Sequence, residues 1–448
     1  MSYKMYYDND KRLVISDVVC SCGCVHNKPE QDIYVGNGII ENTARYIRKR
    51  GYGDHCVLVA DNNTWELAGK HVAELLRNDG FTVVECVVTR EGRMDPDETA
   101  VGEVLLSMQP DTDFLVSVGS GAITDITRVN AKRAKLPQVC IGTAASMDGY
   151  TSSVCPLTFK GVKIHREGKC PEIIICDIDI IKTAPMDMVC AGVGDVLGKF
   201  IAKADWKIGG IINDEVYCPA CGEIVTDAVN KLLDNLPEIK SRSDKGIQIL
   251  TEALLLSGMT IMLIGHTRAV ASVEHNVAHY WEMVQLQRKK TPPSHGSSVG
   301  VATLLVLPVF KKFAEEDVNA LDENAPVIER KARIDFMYRA YGKAAADSII
   351  SENEGDFLTR EEQTRRVKRA KERFNEIKQV IDELPSYEKL ESAMRYLGSE
   401  LTYKDCGIDD ELLNMSMRCA KDYRTRYTLF KLINECGLED KYLAEYKI

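Results

Sequence analysis

The chain has 448 residues, too many for one comfortable hydrophobic core, so two or three domains are expected, with room for a large site. Its 45% hydrophobic and 28% charged residues exclude a disordered or fibrous protein. A formal net charge of -10 argues against nucleic acid as a partner, and the longest apolar run, Leu254 to Gly265, is interrupted and reads as too short to span a bilayer.

The N-terminus, Met1 to Asp10, carries no basic patch followed by an apolar stretch, so no secretory leader is expected and the cytoplasm is the default location. Residues 1–30 are expected to form an N-terminal extension containing Cys20, Cys22, Cys24 and His26. This spacing does not fit the usual structural zinc pairs, and a loop is expected. With fifteen cysteines, most in apolar runs, no structural disulfide is predicted. From 31 to 183, β-branched runs alternate with amphipathic segments, the pattern of a parallel sheet with helices on both faces. Strands are predicted at His55–Ala60, Phe81–Val88, Asp113–Val118, Gln138–Gly142 and Glu172–Cys176, and helices at Asn63–Asn78, Pro96–Met108 and Ala122–Lys135.

After Pro185 the strand pattern stops. Helices are predicted at Met186–Trp206, Asp214–Asn235, Lys245–Ile264, Val273–Gln287 and Ser297–Phe313, and Glu361–Leu384 has the interleaved charges of a solvated helix face. The expected fold is an α/β nucleotide-binding domain at 31–183 followed by an all-α domain at 184–448.

Gly119-Ser120-Gly121 closes one strand and opens a helix, where small residues let backbone amides approach a pyrophosphate; a tight structural turn would use the same residues. Asp61 ends the first strand, where a carboxylate suits a ribose. The acid precedes the glycines, the reverse of the standard dinucleotide fingerprint, so a different topology is required. Thr143 to Tyr150 follows another strand end, and Asp148 and Ser152 are candidates to orient a hydroxylated substrate, although an Asx-type turn would need the same polar loop.

The sharpest constellation lies in the helical half. His275 and His279 stand four residues apart on one helix face and His295 follows after Pro292-Pro293, so three of the eight histidines fall close together. Asp195 sits in an apolar, glycine-rich helix, where a cation would offset the cost of burying its charge. A metal is one such cation. Lys199, one turn on, is the other.

Together these motifs resemble the sn-glycerol-1-phosphate dehydrogenase family, bacterial branch, within the wider dehydroquinate synthase, iron-containing alcohol dehydrogenase and glycerol dehydrogenase group. The resemblance rests on Gly119-Ser-Gly121 with Asp125, Thr143 to Ser153, Ala191 to Lys199 with Ala204-Asp205-Trp206, Glu274-His275 with His279, His295-Gly296 and the segment from Arg424 to Leu429. It implies a dehydroquinate synthase-like fold with the active site in an interdomain cleft. Asp195, His275 and His295 then correspond to metal ligands for one divalent ion, zinc, nickel or iron. Asp61, Gly119, Ser120, Gly121, Asp125, Thr143 and Ser146 correspond to the NAD or NADP side. Asp148, Ser152, His279 and Lys199 correspond to catalytic or substrate-side positions.

The implied reaction interconverts dihydroxyacetone phosphate and sn-glycerol 1-phosphate, in a cytoplasmic homodimer with neither membrane nor nucleic-acid partner. Lys160, Lys163, Lys199 and Arg268 are candidates to meet a substrate phosphate. The chain departs from the family at Ala269-Val-Ala-Ser272, where Pro-Ala-Ser-Gly is typical. A dehydroquinate-synthase-like lyase, a glycerol dehydrogenase or a non-catalytic binding relative are the alternatives on the same architecture.

Overall fold

The computed structural model describes residues 3–27, 30–160, 162–354 and 357–443. At its centre six strands form a parallel sheet in the order β3-β10-β7-β6-β4-β5, with β3 Asp32–Gly36, β4 His55–Asp61, β5 Thr82–Val88, β6 Phe114–Gly119, β7 Gln138–Gly142 and β10 Ile173–Asp177. Every residue of β6 and β7 is buried, because helices cover both faces of the sheet. Alternate side chains show this directly. Leu58 and Ala60 pack with Ile47, Val72 and Leu76, whereas Val57 and Val59 pack with Ala100, Val104, Ile123 and Ile126.

The five predicted strands lie within one residue of their expected ends. Three further pieces of sheet had no strong sequence pattern. β3 is short and begins with Asp32, and it pairs with β10 at the sheet edge. β1 Lys4–Tyr7 and β2 Leu13–Ser16 form one antiparallel hairpin, and β8 Val154–Phe159 and β9 Val162–Glu167 form another. Pro156 inside β8 argues against a strand from sequence, but an isolated two-stranded ribbon tolerates a residue without an amide donor.

Several expected boundaries are corrected. Met186–Trp206 is two helices, Met186–Leu197 and Lys199–Asn213, broken at Gly198. Asp214–Asn235 starts only at Pro219, because Asp214 adopts left-handed backbone and ends the preceding helix. The solvated face predicted for 361–384 is two helices, Arg360–Glu372 and Phe374–Asp382, which bury Val367, Ala370, Phe374 and Ile377.

Two compact units result: Met1–Val193 with Glu223–Gly265, and Gly194–Gly222 with His266–Ile448. The single boundary expected at 183 is therefore replaced by a chain that leaves the α/β unit, returns and leaves again. The returning helix Asp244–Ile264 explains why. Its Leu255 carbonyl accepts a hydrogen bond from Thr151 Oγ1 at 3.3 Å, and its Glu252 Oε1 accepts one from Tyr7 OH at 2.7 Å. The Tyr7 bond ties the N-terminal hairpin into the unit, so the first 30 residues are not a separate extension. Among its described residues the second unit contains helices and loops but no strand. The helices Asp244–Ile264 and His295–Ala314 are long and apolar enough to cross a membrane, contrary to the estimate from the apolar run alone; both are largely buried inside the protein.

Candidate active site

In the helical unit, the helix Val273–Gln287 presents His275, His279 and Glu282 along one stripe at i, i+4 and i+7. The helix His295–Ala314 begins with Ser294 as its N-cap, which places His295 in the first turn. Asp195 enters from the helix Met186–Leu197, and close packing of glycines brings it near. A side chain on Gly194 would collide with the Gly296 carbonyl oxygen, and one on Gly300 would lie 2.9 Å from Gly194 Cα. These glycines set the helix spacing.

The ligand atoms of Asp195, His275 and His295 all lie within 4.8 Å of one another. Asp195 is fully buried, the His275 side chain is 6% exposed and that of His295 is 26% exposed, so the cluster opens on the His295 side. His275 Nδ1 lies 2.7 Å from Glu274 Oε1, and His295 Nδ1 lies 2.8 Å from Glu282 Oε1. Against a carboxylate each Nδ1 is the donor, so in a neutral imidazole each Nε2 faces the cluster with a lone pair for a cation; His275 Nε2 lies 3.4 Å from Asp195 Oδ1. One carboxylate and two braced imidazoles are a donor set that fits zinc, nickel or iron. His279, Glu282 and His295 form an overlapping donor group, but Glu282 Oε1 is already engaged with His295 in bracing geometry.

Lys199 Nζ lies 2.7 Å from Asp195 Oδ1, with both groups buried. Burial opposes ionisation of Asp195, yet Lys199, His275 and His295 outweigh it and hold the carboxylate well below its usual range. Burial and Lys199 oppose protonation of His275, but its bonds to Asp195 and Glu274 raise its pKa. The His279 ring stacks on His295, with centroids 5.1 Å apart.

The segment that departs from the family is firmly held. Ser272 Oγ donates to Asp205 Oδ2 at 2.6 Å, Arg426 donates to the Ala271 carbonyl and to Thr267 Oγ1, and Arg268 donates to the Tyr427 carbonyl at 2.9 Å. Arg268 also pairs with Glu215 at 2.5 Å. Its buried guanidinium is thus committed to the protein interior, which corrects its candidacy as a phosphate partner.

In the α/β unit, all parallel strands end on one edge, and the strand order reverses between β4 and β6. Ala60 pairs with Val118, so Asp61 and Gly119 end side by side there. The segments that follow them pack on opposite faces of the sheet, leaving a crevice between their starts. This explains why the acid precedes the glycines. Ser120 caps the helix Gly121–Ala134 by position but makes no side-chain capping bond, which leaves the first amides of that helix available to an acceptor. Asp61 Oδ1 accepts from the amides of Asn63 and Thr64, both at 2.8 Å.

Thr143 N–H donates to the Gly119 carbonyl at 3.2 Å, and Tyr150 OH donates to the Ala144 carbonyl at 2.8 Å. Ser146 is half-buried beside them. Asp148 Oδ2 accepts from Ser257 Oγ at 2.9 Å, and Ser152 Oγ accepts from Val154 N–H at 3.0 Å. Asp125 pairs with the buried Arg128 at 2.9 Å, although burial still pushes its carboxyl up to about 7. Arg128 in turn donates to the carbonyls of Gly149 and Val154, at 2.7 and 3.0 Å. Asp125 therefore reaches the 149–154 loop through Arg128. Glu282 and Arg128 went unnoticed in the sequence; Glu282 was legible from its helical spacing, Arg128 only from the loop it grips.

A family model described as iron-containing alcohol dehydrogenase matches residues 34–185. A glycerol-1-phosphate dehydrogenase [NAD(P)+] of Halalkalibacterium halodurans is 30% identical, covering 93% of this chain and 95% of that protein. The chain belongs to the glycerol-1-phosphate dehydrogenase family. The Bacillus subtilis glycerol-1-phosphate dehydrogenase [NAD(P)+] is 33% identical over 72% of this chain and 81% of that protein. The crystal structure of a Schizosaccharomyces pombe glycerol dehydrogenase shares the fold, with TM-score 0.62 and 17% identity over 93% of this chain and 90% of that one. This glycerol-1-phosphate dehydrogenase relative is therefore an enzyme built on the iron-containing alcohol dehydrogenase fold, with an α/β unit and a helical one.

Proposed function

We propose that the chain reversibly reduces dihydroxyacetone phosphate to sn-glycerol 1-phosphate with NADH or NADPH, using one divalent ion held by Asp195, His275 and His295. The observation that carries this is the buried carboxylate with two imidazoles, each braced by its own glutamate. The names of its relatives supply the small phosphorylated substrate and the nicotinamide cofactor. When bound, a divalent ion supplies a Lewis acid that polarises the ketone and lowers the pKa of the alcohol.

The protein's own groups do the rest. Lys199 is a positioning residue that keeps Asp195 ionised in a buried site. Glu274 and Glu282 fix the tautomer and aim of the two ligand imidazoles. His279 carries the proton between the substrate oxygen and solvent. On the nucleotide side, the free amides after Ser120 and the small residues Gly119 and Gly121 receive the pyrophosphate, and Asp61 faces the adenosine ribose. Thr143 and Ser146 line the cofactor, and Asp125 shapes the loop through Arg128. Asp148 and Ser152 orient the substrate hydroxyls. The same proposal places the enzyme in the cytoplasm as a homodimer, where its many cysteines would stay reduced.

Metal analysis combined with NADH oxidation against dihydroxyacetone phosphate and dihydroxyacetone tests the proposal. The phosphorylated ketone should be preferred by more than about tenfold in kcat/KM. Equal efficiency on both would point to a glycerol-dehydrogenase-like activity instead. Bound nucleotide without net turnover of any polyol phosphate would support a binding role.

A further inference from the structure

The segment 17–27 forms neither helix nor strand, as its composition suggests, but it is not a featureless loop. Ser21, Gly23, Cys24, Val25 and Asn27 face solvent, whereas Cys20, Cys22 and His26 turn inward and are half-buried. The Sγ atoms of Cys20 and Cys22 and a ring nitrogen of His26 all lie within 4.8 Å of one another. Cys22 Sγ is 3.5 Å from His26 Nε2. Gly23, at φ +76, turns the chain between them, a conformation that side-chain-bearing residues rarely adopt.

A further contact points the same way. The Cys24 amide donates to Cys22 Sγ at 3.4 Å, so the backbone two residues on already offers a hydrogen bond to that sulfur. A donor aimed at sulfur favours its thiolate form, the form that binds metals. The close Cys-x-Cys spacing argues against a zinc site only if the cysteines must act as a widely spaced pair. Here the glycine turn and His26 supply the convergence that the spacing lacks.

We propose that Cys20, Cys22 and His26 form a second metal site, taking zinc or another thiophilic divalent ion through two thiolates and one imidazole. Two sulfurs and a nitrogen are a softer donor set than the carboxylate and two imidazoles of the helical unit, so the two sites differ in preference. Binding releases the two thiol protons to solvent and changes no oxidation state. By its place in the segment joining β2 to β3, the site is a structural clasp for a stretch that has no regular backbone hydrogen bonding of its own.

The test uses the full-length protein, loaded with zinc or cobalt(II) and dialysed. Zinc should remain at two equivalents per chain in the wild type. The Cys20→Ser/Cys22→Ser variant should lose one equivalent and keep dehydrogenase activity, while His275→Ala/His295→Ala should keep the thiol-held ion. Cobalt(II) in the wild type should show near-ultraviolet thiolate-to-cobalt charge transfer. That band should persist in His275→Ala/His295→Ala and vanish in the cysteine variant. His26→Ala should weaken zinc binding by more than the roughly 10–100-fold typical of losing an outer-shell partner. If the cysteine variant fails to fold, the wild-type cobalt spectrum and His26→Ala decide alone. Absence of the charge-transfer band in the cobalt-loaded wild type, or an unchanged zinc affinity in His26→Ala, overturns the proposal.

Discussion

Asp195 is fully buried and answers to a cation on every side that matters: Lys199 at 2.7 Å and two imidazoles within reach. An uncompensated carboxylate there would cost on the order of several kcal/mol, a cost that Lys199 offsets and that the proposed metal would share. His275→Ala and His295→Ala should each abolish metal retention while leaving the fold largely intact; stoichiometric metal in both would remove the basis of the assignment. Glu282→Gln keeps the size of the side chain but weakens its hold on His295, and should cost roughly 10–100-fold in metal affinity, read by chelator competition.

Asp205 offers a separate test at the same scale. Burial raises its carboxyl from 3.8 to about 7, against the donors Ser272 Oγ and Leu429 N–H. The folded chain therefore holds a proton that the unfolded chain has lost between those two values, and stability falls as pH rises from about 4 to 7. The full effect is roughly 4 kcal/mol at one pKa unit per 1.36 kcal/mol. Asp205→Asn, which can still bond both partners, should flatten that part of the profile in thermal melts taken across this range. An identical pH dependence in the variant would mean that Asp205 stays ionised when buried.

At the scale of elements, glycines decide how closely backbone meets backbone. Gly194→Ala would push the Met186–Leu197 helix away from the start of the His295–Ala314 helix. We expect a loss of about 1–3 kcal/mol in stability, together with a fall in metal affinity, because Asp195 and His295 separate. Gly121 serves the other unit. A side chain there meets Met147 Cε at 3.2 Å and lies beside the open amides after Ser120. Gly121→Val should weaken NAD(P)H binding in titrations without loss of metal. Unchanged cofactor affinity would show that the glycine is only a turn residue.

At the scale of the whole molecule, a net charge of -10 would repel the proposed dianionic substrate, so its binding would have to come from local cations. Arg268 is spent on Glu215 and on carbonyls, which leaves Lys163 as the better candidate of the two; its charge contributes to the field at Asp125. Lys163→Met should raise KM for dihydroxyacetone phosphate and leave dihydroxyacetone nearly unaffected. Added salt should raise KM for the phosphorylated ketone alone, since exposed attraction is screened. Insensitivity of both ketones to salt would count against a charge-based phosphate site.

Periodicity and residue type alone determined a great deal. Continuous β-branched runs located β4, β5, β6, β7 and β10, because a strand buried on both faces has no polar alternation to obscure it. His275 and His279 at i and i+4, His295 just beyond a diproline break and Asp195 in an apolar helix stood out as candidate ligands by residue type and spacing, whereas the choice of Asp195, His275 and His295 as the metal set came from the family resemblance. Tertiary structure decided what depends on contacts distant in sequence. It revealed β3, which has too few residues to show a period, and returned Glu223–Gly265 to the α/β unit, because a helix's apolar face does not say which core it will join. It also settled that Arg268 faces inward and that Cys20, Cys22 and His26 converge. A charge's direction and a loop's path are set by packing and by single backbone torsions such as that of Gly23, neither of which leaves a repeating trace in the sequence.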